Sequence, residues 1–468
     1  MNTLQMGWQS WNLWCERSVN RRVLSAIVTV GGLTILVKLA AVAQGLVTAY
    51  HFGTSDAFDA FVIAFLLPAF VIELIGGALN AALIPTYVQV QEHEGQEAAQ
   101  RLLSSVMSWS LAVLISASIL LALLADFILP FLGSGFNPEK LALTRQLYFI
   151  LLPALVFYGL STTWSAILNA GERFALGAVV RAVTPLVVIL LLVTLAERWG
   201  IYVVAIGMVA GFALEAGLLA WGLNRQGIFT MPRWYGANRA VRQVFRQYVP
   251  VVAAAFLIGS TSIIGQAMAA MLGPGSVSVL AYGGRATSLL LGIGSVAIST
   301  AVLPHFSRMV ALGDLAGVRH TLKTYTRLIL MITLPLAAIL IICSEPLVRL
   351  FFQRGAFTGA DTQIVAQVQA VYLLQVPAFV LEILFVRLIS SLQANKFLLW
   401  GTMISLALNI ILNYIFLQWL GVIGIALSIS LMHVVSAGYL ICVALWLTKD
   451  TLNAERVTEP VLSGQVRR

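Results

Sequence analysis

The stretch "FGTSDAFDAFVIAFLLPAFVIELIGGALNAALIP", residues 52–85, sets Asp56 and Asp59 at the head of a long apolar run whose only later charge is Glu73. A membrane-spanning helix needs about 20 mostly apolar residues, and this run exceeds that length. Thr54 or Ser55 can cap a helix that starts near Asp56, where first-turn acids suit the helix dipole. Asp59 lies one turn further in, where a solvated cap does not account for it. Pro68 is expected to bend the helix, because its missing N–H breaks the hydrogen-bond ladder.

Similar runs fill the chain. Of its 468 residues, 60% are hydrophobic and 10% charged, with a mean hydropathy of +0.92, a balance that water-soluble domains do not carry. The sequence therefore predicts an all-α polytopic membrane protein. A β-barrel is excluded, since its strands would show about ten residues of strict alternation. Twelve spans are expected, centred near residues 35, 72, 117, 155, 186, 212, 260, 290, 335, 378, 408 and 434. The first, "NRRVLSAIVTVGGLTILVKLAAVAQGLV", is too long for a signal-peptide core and contains Lys38, so it is expected to be retained.

With twelve spans both termini share one side. The breaks on that side hold most of the 28 Lys and Arg, whereas the opposite breaks hold only Lys140, Arg145, Arg198, Arg349 and Arg354. The positive-inside rule then places both termini in the cytoplasm. The net charge of +9 is thereby a matter of topology, and no nucleic acid partner is implied. Cys15, Cys343 and Cys442 have neither disulfide nor zinc-ligand spacing and are read as packing residues.

The chain repeats itself. "AALIPTYVQVQEHEGQEAAQRLL" (81–103) matches "TAVLPHFSRMVALGDLAGVRHTL" (300–322), with Pro85 on Pro304, and "LLPALVFYGLSTTWSAILNAGERF" pairs with "LQVPAFVLEILFVRLISSLQANKF". Two pseudo-symmetric six-helix lobes are expected, residues 1–222 and 248–448, joined by a basic cytoplasmic linker, 223–247, and followed by a cytoplasmic tail, 449–468. The linker reads as an interfacial amphipathic helix held by anionic lipid.

Charge at membrane depth costs about 2.5–3.5 kcal/mol per residue on insertion scales, so buried ionisable residues are functional candidates. In the second span Glu73, Gly76, Gly77 and Asn80 fall on one helical stripe; in the eighth, Arg285, Ser288, Gly292, Ser295 and Ser299 form a longer one related to it by the repeat. Such stripes also serve close helix packing. Glu73 and Arg285 point instead to a hydrated cavity or an ion pair. Arg285 offers a planar fork of donors suited to phosphate or carboxylate, and Lys38 a second positive charge, unless Lys38 snorkels to the headgroups. Arg181 and Arg387 belong to no stripe; Glu215 and Glu382 are candidate partners for them. No nucleophile elbow, metal-ligand cluster or phosphate loop is present, so neither enzyme nor cofactor is expected.

In order along the chain, "FGTSDAFDAFVIAFLLP", "GALNAALIPTYVQ", "SGFNPEKLALTRQLYFILLPALVFYGLSTTWSAILNAGERF" and "GPGSVSVLAYGGRATSLLLGIGSVAISTAVLPHFSRMVALGD" resemble the MurJ (MviN) lipid II flippases of the multidrug/oligosaccharidyl-lipid/polysaccharide exporter superfamily. The resemblance, from about residue 20 to 447, implies two lobes around a cavity of alternating access and an undecaprenyl-pyrophosphate-linked glycan as substrate. By position it makes Asp59 the match of the family's acidic residue in "TDAF", Arg285 the eighth-span cavity arginine and Lys38 the stand-in for a first-span arginine; Asp59 is then expected to gate, pairing with a basic residue in one of the two access states. Phosphate would then meet Arg285 and Lys38, while Glu73, Asn80, Ser288, Ser295 and Ser299 would meet sugar or water. Gln44, Ile72 and Glu73 stand where the family carries further arginines, and twelve spans stand where it typically has fourteen.

Three other readings remain at this level. The cargo could be another lipid-linked oligosaccharide, such as an O-antigen or exopolysaccharide unit. A drug/cation antiporter would keep the fold, and a scaffold for cell-wall or polysaccharide synthesis proteins would keep the partners without the transport. The driving force stays open among membrane potential, sodium gradient and proton gradient.

Overall fold

The computed structural model describes residues 19–170, 174–225, 227, 233–236 and 239–458. All regular elements among them are helices, and twelve segments are long and apolar enough to cross a membrane, as the sequence predicts. The first half runs α1 (Val19–Phe52), α2 (Asp56–Glu94), α3 (Gln96–Leu123), α4 (Ala125–Leu132), α5 (Pro138–Leu151), α6 (Pro153–Ala170), α7 (Phe174–Val180), α8 (Val183–Trp199) and α9 (Tyr202–Asn224). The second runs α10 (Arg239–Ala270), α11 (Ser276–Ala311), α12 (Leu315–Ile342), α13 (Ser344–Phe352), α14 (Gly359–Leu373), α15 (Val376–Ser391), α16 (Asn395–Leu420) and α17 (Val422–Thr458).

The element order carries the internal repeat. In each half the third span is followed by a short helix, α4 or α13, and the fourth is broken just before or at a proline, α5 to α6 at Pro153 and α14 to α15 at Pro377. A proline near a helix start loses no bond, because the first N–H groups have no intrahelical partner. Pro68 and Pro85, by contrast, lie inside the continuous α2.

Two compact units emerge. One comprises the described residues up to Phe52 with Ala64–Leu129 and Glu139–Ala255; the other comprises Gly53–Ile63, Pro130–Pro138 and the described residues from Phe256. The first turns of α2 thus belong with the second unit, while the rest of the helix belongs with the first. The core of the first unit gathers Leu83, Leu102, Met107, Ile167 and Leu219, all buried. That of the second gathers Phe306, Leu373, Leu384, Leu388 and Ala444. Lipid-type exposure is plain elsewhere: Leu190 and Val193 of α8 and Ile339 and Ile342 of α12 are exposed.

Of the linker, Gln100 Nε2 donates to the Gly227 carbonyl at 3.2 Å, while the backbone N–H groups of Arg233 and Tyr235 donate to Ser104 Oγ at 2.7 Å and Ser105 Oγ at 3.2 Å. Residues 239–247 form no separate surface helix but continue as the first turns of α10. Cys343 and Cys442 are free thiols, the latter exposed; Cys15 lies outside the described residues.

Close helix approach is built from glycine. At Gly211 in α9 an added Cβ would stand 2.6 Å from Thr184 Cα of α8. Gly211→Leu is therefore expected to cost about 1–3 kcal/mol through overpacking, read as a lower thermal midpoint in detergent. An unchanged midpoint would contradict this packing.

Candidate functional site

Asp59 is completely buried. Its Oδ2 accepts the Gly275 N–H at 2.7 Å, and its Oδ1 accepts the Ser278 N–H at 2.7 Å and the Ser278 hydroxyl at 2.5 Å. The carboxylate thus caps the start of α11 from the first turns of α2. Exposed N–H groups and the positive end of the helix dipole both favour an anion there. Gly275 is required at this end: its φ is +80°, and a Cβ would meet the Thr54 carbonyl oxygen at 2.7 Å. The start of α2 is itself capped by Ser55, whose Oγ accepts the Phe58 N–H at 3.4 Å. Thr54 instead donates its hydroxyl to Asp361, which completes the capping box at the start of α14 with Thr358.

An aromatic cluster continues this anchor into the unit. Phe58 stacks on Tyr282 at 4.8 Å between centroids, and Tyr282 meets Phe352 at 5.6 Å and Phe357 at 5.7 Å. One turn along α11, the half-buried Arg285 places Cζ 4.9 Å from the Tyr282 ring centroid. Arg285 forms no ion pair with any described residue. A guanidinium held by a ring face keeps its in-plane donors for another anion.

The remaining stripe residues of α11 divide. Ser288 is exposed and turns its hydroxyl back to the Gly284 carbonyl at 2.9 Å. Ser295 is half-buried. Ser299 Oγ accepts from Arg387 Nη2 at 2.9 Å and Nε at 3.2 Å, so Arg387 finds a hydroxyl. Its candidate partner Glu382 lies instead against His433, 3.1 Å from Nδ1.

In the first unit, Lys38 and Glu73 are exposed without an ion pair to described residues; the side chain of Asn80 lies outside the described residues. The glycines beside Glu73 differ from one another. Gly76 is buried, and a Cβ there would stand 2.8 Å from Thr162 Oγ1, which is close packing against α6; Gly77 faces open space. Glu215 is buried, accepting the Thr184 N–H at 3.3 Å with Arg181 in electrostatic range. Tyr158 brings Arg181, Glu215 and Glu73 into one electrostatic neighbourhood.

Helical spacing could have found Tyr282, three residues before Arg285. Nothing local marks Tyr158 or His433, whose partners are far away in sequence. Among the described residues no group of three or more His, Cys, Asp or Glu could hold a metal ion.

The family model described as "Lipid II flippase MurJ" matches residues 48–451. The chain belongs to the lipid II flippase MurJ family. Among curated relatives of this family, a probable lipid II flippase MurJ of Rhizobium meliloti (strain 1021) is 29% identical over 441 residues, covering 91% of this chain and 81% of the relative. The lipid II flippase MurJ of Burkholderia cenocepacia is 26% identical over 426 residues, covering 86% and 80%. Among solved structures, a lipid II flippase MurJ in an inward closed conformation superposes with a TM-score of 0.76 at 24% identity, covering 94% of both chains. An inward-facing multidrug resistance MATE family transporter of the MOP superfamily gives 0.74 at 14% identity, covering 92% of this chain and 99% of that one. These two likenesses establish the fold.

In this MurJ family member the Asp59 cap is a measurable structural element. Asp59→Ala leaves buried donors unpaired and is expected to cost about 1–3 kcal/mol, with faster hydrogen exchange at the Gly275 and Ser278 amides. A double-mutant cycle with Ser278→Ala should give a coupling of at least about 0.5 kcal/mol. Additive effects would mean that the two side chains act separately.

Proposed function

We propose that this protein is a flippase that moves an undecaprenyl-pyrophosphate-linked glycan, lipid II, from the cytoplasmic to the periplasmic leaflet of the bacterial inner membrane by alternating access. The observation that carries the reading is the match of the MurJ family model along residues 48–451, which contain Asp59, Glu73, Arg285 and the serine stripe. The distribution of Lys and Arg supports cytoplasmic termini.

The chemistry asked of the site is recognition of a diphosphate in a low-dielectric surrounding while the polyprenyl tail stays in lipid. Arg285 supplies the bidentate donor set, and its lack of a described carboxylate partner leaves that set for phosphate. Lys38 adds a second cation. Glu73, Asn80, Ser288, Ser295 and Ser299 meet sugar hydroxyls or water. Asp59 is the gate residue: it holds the start of α11 in one access state and exchanges those donors for a basic residue in the other. Differential contacts of this kind are what a substrate-driven switch requires.

One observation favours a second cargo. Gln44, Ile72 and Glu73 leave fewer cations than the family pattern carries, which suits another lipid-linked oligosaccharide whose sugars take more of the binding. Cell-wall synthesis proteins are the partners this role implies.

Purified protein in proteoliposomes with labelled lipid II is expected to translocate it. Arg285→Ala should slow translocation by roughly tenfold to a hundredfold, the loss of one charge-assisted contact, with Arg285→Lys in between. Equal rates in Arg285→Ala and the parent would remove the phosphate role from this residue.

A further inference from the structure

We propose that the second unit carries a binding site for an anionic diacyl phospholipid of the cytoplasmic leaflet, in a groove between α12, α15 and α17. The groove measures about 820 Å³, within the roughly 300–1,000 Å³ of pockets that enclose small ligands. Leu322 and Phe385 form its buried floor, while Leu334, Pro335 and Leu445 are exposed along its walls. It therefore opens on the side of the unit. The same face of α12 continues into the exposed Ile339 and Ile342.

One end of the groove is cationic. Arg319, Lys323 and Arg327 recur at every fourth residue of α12 and so share a face, one turn apart. The Arg319 guanidinium is fixed through Nη2, which donates to the Thr448 carbonyl of α17 at 2.5 Å. Lys323 and Arg327 are exposed, and none of the three forms an ion pair with a described residue. No acid lies on α12, and Asp314, just before it, caps the helix by accepting the Gly317 N–H at 2.7 Å.

Length sets the depth. α12 has 28 residues, about 42 Å, against a hydrocarbon core of about 30 Å, so its first two turns stand at headgroup level. Arg319 and Lys323 are there, and Arg327 lies one turn deeper, within snorkelling reach. The distribution of Lys and Arg makes that end cytoplasmic. Beyond Arg327 the groove runs about 10 Å further to Leu334 among apolar side chains only. This pattern selects the ligand. A soluble phosphate would meet the cations and leave the apolar length empty, whereas a hydrocarbon alone would fill that length and leave the cations unanswered. A phosphate headgroup with acyl chains answers both, and juxtamembrane Lys and Arg attract anionic lipids. A zwitterionic headgroup brings an ammonium, for which the groove has no carboxylate among its lining residues. Arg285 and the serine stripe lie on α11, which lines none of this groove, so the site stands apart from the flippase reading.

The full chain, reconstituted in phosphatidylcholine with a phosphatidylglycerol probe that carries a photoreactive acyl chain, should be labelled on the peptides that hold Leu330, Leu334, Ile441 and Leu445. Lys323→Gln with Arg327→Gln is expected to weaken probe binding by about thirtyfold, about fivefold for each cation. Arg308→Gln with Lys396→Gln removes the same charge from exposed positions on the same side of the membrane and should leave labelling unchanged. Lys323→Arg with Arg327→Lys should retain binding, which separates lost charge from lost folding. Leu334→Trp keeps every cation but fills the groove, and should reduce labelling as well. Unlabelled phosphatidylglycerol should compete with the probe, and inorganic phosphate should not. An unlabelled parent, equal losses in the two charge-removing pairs, or labelling indifferent to Leu334→Trp overturns the site. Displacement of the probe by undecaprenyl phosphate more readily than by phosphatidylglycerol overturns the phospholipid as its occupant.

Discussion

In hydrocarbon a polar group has no water to turn to, so each N–H, C=O and charge at membrane depth must be answered from within the chain. That constraint shapes this structure more than any single packing contact. It makes the spans helical, and in the fourth span of each half the helix break falls at a proline near a helix start, Pro153 or Pro377. It also explains why a buried carboxylate is found where two backbone amides and a hydroxyl converge, at the start of α11. The ring cluster behind that cap carries the order on to Arg285. Arg285 thus sits at the far side of a ring cluster that begins at an anion offered to a helix end.

The same constraint separates what could be read along the chain from what could not. Span number follows from apolar length alone, and the repeated element order follows from the match of Pro85 to Pro304 and of the fourth span to the tenth. Within one helix the stripes were visible, and Asp59 stood out because a solvated cap could not account for it. Which donors would meet it was not visible, since Gly275 and Ser278 are more than two hundred residues away. The two glycines after Glu73 look identical in sequence, yet Gly76 makes room for Thr162 and Gly77 faces open space. Sequence makes Glu382 a candidate partner for an arginine; it sits against a histidine 51 residues on, and Arg387 takes a serine hydroxyl instead. Partner choice across helices depends on tertiary register, which no local spacing encodes.

The balance of charges frames the functional account. Two cations at span depth, Lys38 and Arg285, are unpaired among described residues, whereas the acids Asp59, Glu215 and Glu382 are each engaged. Glu73 is likewise unpaired among the described residues, so two cations stand available against this acid, a balance that suits an anionic ligand better than a cationic drug. The reduced number of arginines relative to the family pattern bears on which glycan follows the diphosphate, not on the diphosphate itself.

The identity of the lipid that waits on this protein therefore tests the account most directly. Depletion of the protein in its own bacterium, followed by mass spectrometry of the undecaprenyl-linked intermediates, is predicted to show lipid II accumulating. Accumulation of a different undecaprenyl-pyrophosphate glycan with lipid II at its ordinary level would contradict it.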